Sequence, residues 1–111
     1  MQTFKSDLLQ GTLELLILKA IALEPIHGYA IAQRIQQISR EALQIQQGSL
    51  YPALYRLEER SFIKAQWRET GQGRMAKFYS VTPKGAKELE KGRTEWQRTA
   101  AAIASVLEVA H

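Results

Sequence analysis

The stretch GSLYPALYRLEERSFIKAQW, residues 48–67, decides the fold of this chain. Its first half carries Leu50, Leu54 and Leu57 at the spacing of one helix face. From Ile63 onward apolar and polar residues alternate, which is the pattern of a strand with one buried face. The stretch therefore predicts a helix that is followed directly by a strand.

The ends of this helix are predicted from its local sequence. Ser49 is a good N-cap, and Pro52 would then lie in the first turn, where its missing N–H costs no helical bond. We expect the helix to end near Arg60. With Leu50 placed inward, a rotation of about 100° per residue turns Pro52, Tyr55 and Arg56 outward.

The elements on either side complete the pattern. Helices are predicted over residues 8–23 and 28–38, separated by the helix-breaking EPIHG. Downstream, the strand from Ile63 returns through a glycine-rich turn, and Thr82-Pro83 is a helix start whose pattern continues to about Leu107. The order is helix, helix, helix, hairpin, helix.

This order predicts a mainly α fold with a small β-hairpin: a winged helix-turn-helix plus a long C-terminal dimerisation helix. We expect two domains, a winged helix-turn-helix DNA-binding domain over residues 1–82 and the dimerisation helix over residues 83–111. In a helix-turn-helix the start of the third helix enters the major groove of DNA.

DNA contacts are therefore predicted on the third helix and on the hairpin tip. The predicted DNA-binding residues are Ser49, Tyr51, Pro52, Tyr55, Arg56, Arg74 and Lys77. Hydroxyl groups and arginine suit base edges and phosphates, and a basic tip suits the DNA backbone. The alternative for Tyr51 and Tyr55 is packing against the hairpin or the second helix, and for the tip a merely solubilising turn.

The last helix has an apolar stripe that the winged domain alone does not need. Apolar residues recur at spacings of three and four from Ala86 to Ala110, interrupted only by Arg93. Packing against helix one of a second subunit would bury this stripe and the surplus apolar surface of the first helix. The predicted interface residues are Leu8, Leu15, Leu89, Trp96, Ala100, Ile103 and Leu107.

Composition narrows the function classes. A net charge of +4 and a pI near 9.6 favour anionic partners. The absence of cysteine excludes disulfides and thiolate chemistry, and two histidines, His27 and His111, make no metal site. No nucleophile–base–acid set can be assembled, so we expect no enzyme, no cofactor and no metal. The apolar N-terminal run is too short and too charged to cross a membrane, and we expect a cytoplasmic protein.

Specific motifs resemble one family. The run GSLYPALYRLEER, the later FYSVTPKG, and the earlier GTLELLILKAI and HGYAIAQRI are similar to the PadR family of bacterial transcriptional regulators, over roughly residues 8–108. At Ser61 that family commonly has glycine. Ala76 and Phe78 replace residues of a second wing strand that is commonly more basic and richer in tyrosine.

The resemblance implies a homodimeric repressor on an inverted-repeat DNA operator, released in some members by an aromatic or drug-like small molecule. It also implies a ligand contact for Trp96, since a tryptophan at a similar place lines an intersubunit cavity in small members of the family. An indole suits flat aromatic ligands, although it equally suits an interface core. Two further hypotheses are a winged-helix protein-interaction module and a small-molecule sensor, each without DNA binding.

Overall fold

The computed structural model describes residues 12–110. It is mainly helical with one small antiparallel sheet, and this confirms the predicted fold class. The elements in chain order are α1 (Leu13–Leu23), β1 (Ile26–His27), α2 (Gly28–Ile38), α3 (Gln47–Glu59), β2 (Ile63–Glu69), β3 (Met75–Val81) and α4 (Pro83–Leu107).

The sheet contains one strand more than the sequence predicts. Strands β2 and β3 form the predicted hairpin, with Ile63 opposite Val81 and Glu69 opposite Met75. The two-residue strand β1 pairs with the other edge of β3, which places Ile26 opposite Tyr79. The order β1-β3-β2 ties the hairpin to the loop that precedes α2.

One hydrophobic core holds the first three helices against the sheet. Its most completely buried side chains are Ile17, Ile21, Ile31, Leu50, Leu54, Leu57 and Ile63. Arg34 of α2 closes the C-terminal end of α1, because its Nη1 donates to the carbonyl oxygens of Ala20 at 2.8 Å and Glu24 at 3.0 Å. Of the predicted helix over residues 8–23, residues 8–11 lie outside the described part of the chain.

Helix α3 begins three residues earlier than predicted. The N–H groups of Ser49 and Leu50 both donate to the carbonyl of Gln46 at 3.0 Å, so the helix starts at Gln47 and Ser49 is its third residue. The prediction that Ser49 is the N-cap is therefore wrong, and so is the first-turn position of Pro52. Pro52 is the sixth helical residue, where it cannot donate the bond to the carbonyl of Gly48 that other residues would make.

Helix α3 ends in a tight hydrogen-bonded turn. The N–H of Phe62 donates to the carbonyl of Leu57 and the N–H of Ser61 to that of Glu58, both at 3.0 Å. This is the Schellman pattern, which requires a left-handed residue after the C-cap, and Ser61 has φ of 63°. The turn leads directly into β2.

Helix α4 begins as the sequence predicts. Thr82 is its N-cap and accepts a hydrogen bond from the N–H of Gly85 at 3.0 Å, while Pro83 occupies the first helical position. The helix runs for 25 residues, which is about 37 Å. No helix within residues 12–110 combines the length and the apolar character that a membrane crossing needs.

Candidate nucleic-acid interface

The buried side chains of α3 show which side of the helix faces the core and which faces outward. The side chains of Leu50, Ala53, Leu54 and Leu57 lie in the core. The opposite face carries Ser49, Pro52 and Tyr55, all of them exposed, and Tyr55 keeps 63% of its surface accessible. This is the face that the periodicity predicts to point outward, and a ligand can approach it directly.

Tyr51 lies on the flank of α3 and packs against α2. A Cβ placed on Gly28 would lie 3.1 Å from Tyr51 Cε1 and 3.3 Å from its hydroxyl oxygen. Glycine at the first position of α2 therefore makes room for the tyrosine ring. Because 46% of Tyr51 stays exposed, its ring is held in place while part of it faces solvent.

Arg56 is tied to α1. Its Nε lies 2.8 Å from Glu14 Oε2, and Nη1 of Arg60 lies 3.1 Å from Glu14 Oε1. One carboxylate thus holds Arg56 of α3 and the C-cap residue Arg60 on the side of the helix that faces α1. In the protein without DNA the Arg56 guanidinium is a paired group, whereas Ser49 and Tyr55 sit on the outer face.

The two basic residues predicted in the hairpin have different surroundings. Arg74 is exposed at the turn, where its carbonyl accepts a 2.6 Å bond from the N–H of Thr70 and Gly73 adopts φ of 77°. Lys77 lies on β3, with Nζ 3.6 Å from Glu58 Oε1 of α3. Arg74 therefore presents its charge to solvent, while Lys77 joins the hairpin to α3.

Lys77 also lies against Tyr79. Its Nζ is 5.6 Å from the centre of the Tyr79 ring, a cation–π arrangement. Burial raises the pKa of the Tyr79 phenol above its ordinary value, and the positive charge of Lys77 offsets part of that rise. Lys77 is thus shared between a carboxylate of α3 and a core tyrosine.

The predicted interface residues fall into two groups. Leu15 touches α4 of its own chain, since a Cβ on Gly92 would lie 2.8 Å from Leu15 Cδ1, and Leu89 packs against the core. Farther along α4, Ala100 is half-buried, Trp96 is 44% exposed, Ile103 is exposed and Leu107 is 78% exposed. Leu8 lies outside the described residues.

The sequence does not predict the ion pairs that two carboxylates near α3 make. In the structure Glu58 forms an ion pair with Lys77, and Glu14 forms ion pairs with both Arg56 and Arg60. Because Glu14 and Arg56 are 42 residues apart, no spacing rule could have joined them.

Family comparison matches residues 17–91 of the sequence to the Transcriptional regulator PadR-like family. The chain belongs to the PadR family. An uncharacterised protein of Lysinibacillus sphaericus is 32% identical over 92 residues, which are 83% of this chain and 84% of that protein. A transcriptional regulator of Mycobacterium tuberculosis is 32% identical over 84 residues, 76% of this chain and 75% of that protein.

Solved structures agree with this assignment. The crystal structure of a PadR-like transcriptional regulator from Bacillus cereus is similar with a TM-score of 0.82 and 27% identity, covering 95% of this chain and 100% of that chain. The resemblance that the sequence motifs indicate is therefore confirmed. The chain is a DNA-binding transcriptional regulator of the PadR type and not an enzyme.

Proposed function

We propose that this PadR-type regulator is a homodimeric repressor that binds an inverted-repeat operator. The observation that carries the proposal is the exposed outer face of α3, on which Ser49, Pro52 and Tyr55 point to solvent beside a hairpin with a free basic tip. A helix with this exposure fits the major groove, which is about 12 Å wide.

Each residue of this surface has a distinct proposed role. The hydroxyls of Ser49 and Tyr55 bond base edges or phosphates, and Pro52 makes an apolar contact with a thymine methyl. Tyr51, held against Gly28, offers its exposed part from the flank. Arg74 contacts the DNA backbone from the hairpin tip.

Arg56 and Lys77 reach DNA by exchanging partners. Arg56 leaves Glu14 for a phosphate or a guanine, and Lys77 leaves Glu58 for the backbone. Both ion pairs are partly exposed, and such pairs contribute about 0–1 kcal/mol. Replacing a carboxylate with a phosphate therefore costs little, and the released counterions favour the complex.

The proposed dimer forms through α4. The exposed apolar side chains of its second half have no counterpart within residues 12–110, and a two-fold partner buries them. Trp96 lies at the inner end of this stripe and is the candidate contact for an aromatic effector, since an indole presents a wide apolar face.

Selection of genomic fragments by the purified protein tests the proposal. At about 50 mM salt we expect a short inverted repeat whose half-sites lie about one helical turn apart. For a protein making about 6–10 phosphate contacts, raising salt to about 200 mM should weaken binding about 10³–10⁵-fold. Recovery of single half-sites would contradict the dimeric part, and recovery of no sequence at either salt would contradict the proposed operator.

A further inference from the structure

Helix α3 and helix α4 meet at a joint made by Ser61, Phe62, Thr82 and Gly85, although the whole hairpin separates them in the sequence. The Thr82 hydroxyl donates to the carbonyl of Ser61 at 2.6 Å, with the carbonyl of Phe62 at 3.1 Å. The N–H of Thr82 also donates to the Phe62 carbonyl, at 3.0 Å. The end of α3 is thus bonded to the residue that caps α4.

Gly85 brings the two helices closer than any other residue would allow. A Cβ at this buried position would lie 1.9 Å from the carbonyl oxygen of Phe62 and 2.8 Å from its carbonyl carbon. Both neighbours are backbone atoms, so a side chain cannot be accommodated by a rotamer change. The first turn of α4 therefore sits directly on the turn that ends α3.

A second connection between α3 and α4 runs through α1. Glu14 binds Arg56 of α3 and the C-cap residue Arg60, and the next residue, Leu15, packs on Gly92 of α4. Two attachments at different points along α4 restrict rotation as well as translation. The direction of α3 relative to α4 is therefore set within one protomer.

We propose that Thr82 and Gly85 are positioning residues that set the distance between the two recognition helices of the dimer, and so the half-site spacing that the protein accepts. This inference rests on the α4-mediated dimer proposed above. A small change at this joint has a large effect because α4 is long. A change of about 10° between α3 and α4 displaces a point about 37 Å away, at the far end of α4, by about 6 Å. That is nearly two base-pair steps of about 3.4 Å.

The chain has no cysteine, so one introduced cysteine can report the distance directly. Gln47→Cys at the exposed start of α3 carries a spin label in the full-length protein, and pulsed electron–electron double resonance measures the label-to-label distance across the dimer without DNA. We expect one narrow distribution for the otherwise unchanged protein.

Thr82→Asp separates positioning from capping. Aspartate is a good N-cap and keeps the bond from the Gly85 N–H, but it cannot donate to the carbonyls of Ser61 and Phe62. We expect its distance distribution to shift or broaden by about 6 Å. Thr82→Ser keeps the hydroxyl and should match the parent protein. Thr94→Asp adds the same charge at an exposed position of α4 and is the matched control.

Thr82→Val, which removes the hydroxyl without adding charge, is the second variant if Thr82→Asp does not fold. An unchanged narrow distribution in either folded, dimeric variant overturns the positioning role, and so does a broad distribution in the parent. A monomeric parent with no label-to-label distance overturns the proposed dimer itself. Sedimentation of each sample separates these two failures.

Discussion

Ser61 occupies a backbone position that suits glycine. Its φ of 63° is left-handed, and for residues with a Cβ this region costs about 1–2 kcal/mol, partly offset by the smaller unfolded-state entropy that a side chain brings. We expect Ser61→Gly to raise the free energy of unfolding by about 0.5–1 kcal/mol in urea denaturation.

Ser105→Gly is the matched control for this substitution. Ser105 lies in α4 and is exposed, so glycine there should lower stability by about 0.5–1 kcal/mol. Opposite signs for the two serines would locate the effect in the backbone conformation. Equal losses at both positions would show that the Ser61 conformation carries no strain.

Glu14 pairs with two arginines at the end of α3, Arg56 in the helix and Arg60 at its C-cap. Its carboxylate lies within 3.1 Å of both Arg56 and Arg60. In Glu14→Gln we expect several-fold tighter binding to duplex DNA of random sequence, because the arginines lose a competing anion, and a stability loss of no more than about 1 kcal/mol. Fluorescence anisotropy at two salt concentrations measures the affinity.

Glu95→Gln removes the same charge from an exposed position of α4 and should leave DNA affinity nearly unchanged. Weaker DNA binding by a stable Glu14→Gln protein would contradict the prediction. Such a result would mean that the ion pair positions Arg56 for contact with DNA, rather than competing with DNA for its guanidinium.

Among the elements, those with long regular patterns could be predicted from the sequence. The alternation in residues 63–81 predicts the hairpin, and Thr82-Pro83 predicts the start of α4. Both signals depend only on residues that are neighbours in the sequence. Strand β1 is two residues long, too short to show a period, and it forms because β3 offers a free edge.

The start of α3 shows a limit of local rules. Ser49 has the chemistry of an N-cap, but the carbonyl of Gln46 accepts the first helical bonds instead, and the helix gains three residues. The candidate DNA-binding face could still be predicted, because the buried leucines alone determine which side of α3 points outward. The partners of Arg56 and Lys77 could not, because both contacts join distant segments.

Pro52 weakens the helix that carries it. At the sixth position of α3 it removes a hydrogen bond, and proline in a helix interior costs up to about 3 kcal/mol relative to alanine. We expect Pro52→Ala to raise the free energy of unfolding by about 1–3 kcal/mol in chemical denaturation. Its affinity for selected operator fragments should fall, since the apolar contact is lost.

Pro83→Ala is the control, because Pro83 occupies the first position of α4. There the missing N–H costs nothing, so we expect a stability loss of about 0.4–1 kcal/mol from the freer unfolded chain. If Pro52→Ala lost stability in the same way, the helix interior would not be penalised by proline.

At the scale of the whole molecule, the two halves of α4 have different surroundings. Its first turns pack on preceding elements of the same protomer through Gly85, Leu89 and Gly92, and its second half leaves Ile103 and Leu107 exposed. Leu89 therefore supports the fold of one protomer. A test of the dimer must use the second half of the helix, where substitutions leave the core intact.

Ile103→Asp combined with Leu107→Asp is the sharpest such test. Burying an aliphatic side chain stabilises by about 1.5–3 kcal/mol, and a two-fold dimer buries each of these residues twice. Their joint loss should weaken association by about 6 kcal/mol or more, over 10⁴-fold, so sedimentation at micromolar concentration should show monomers. The circular dichroism spectrum should keep its helical intensity, and Thr94→Asp on the opposite side of α4 should remain dimeric. A double variant that still sediments as a dimer would place the interface elsewhere, because the four carboxylates that the two protomers would bury cannot be tolerated in an apolar interface.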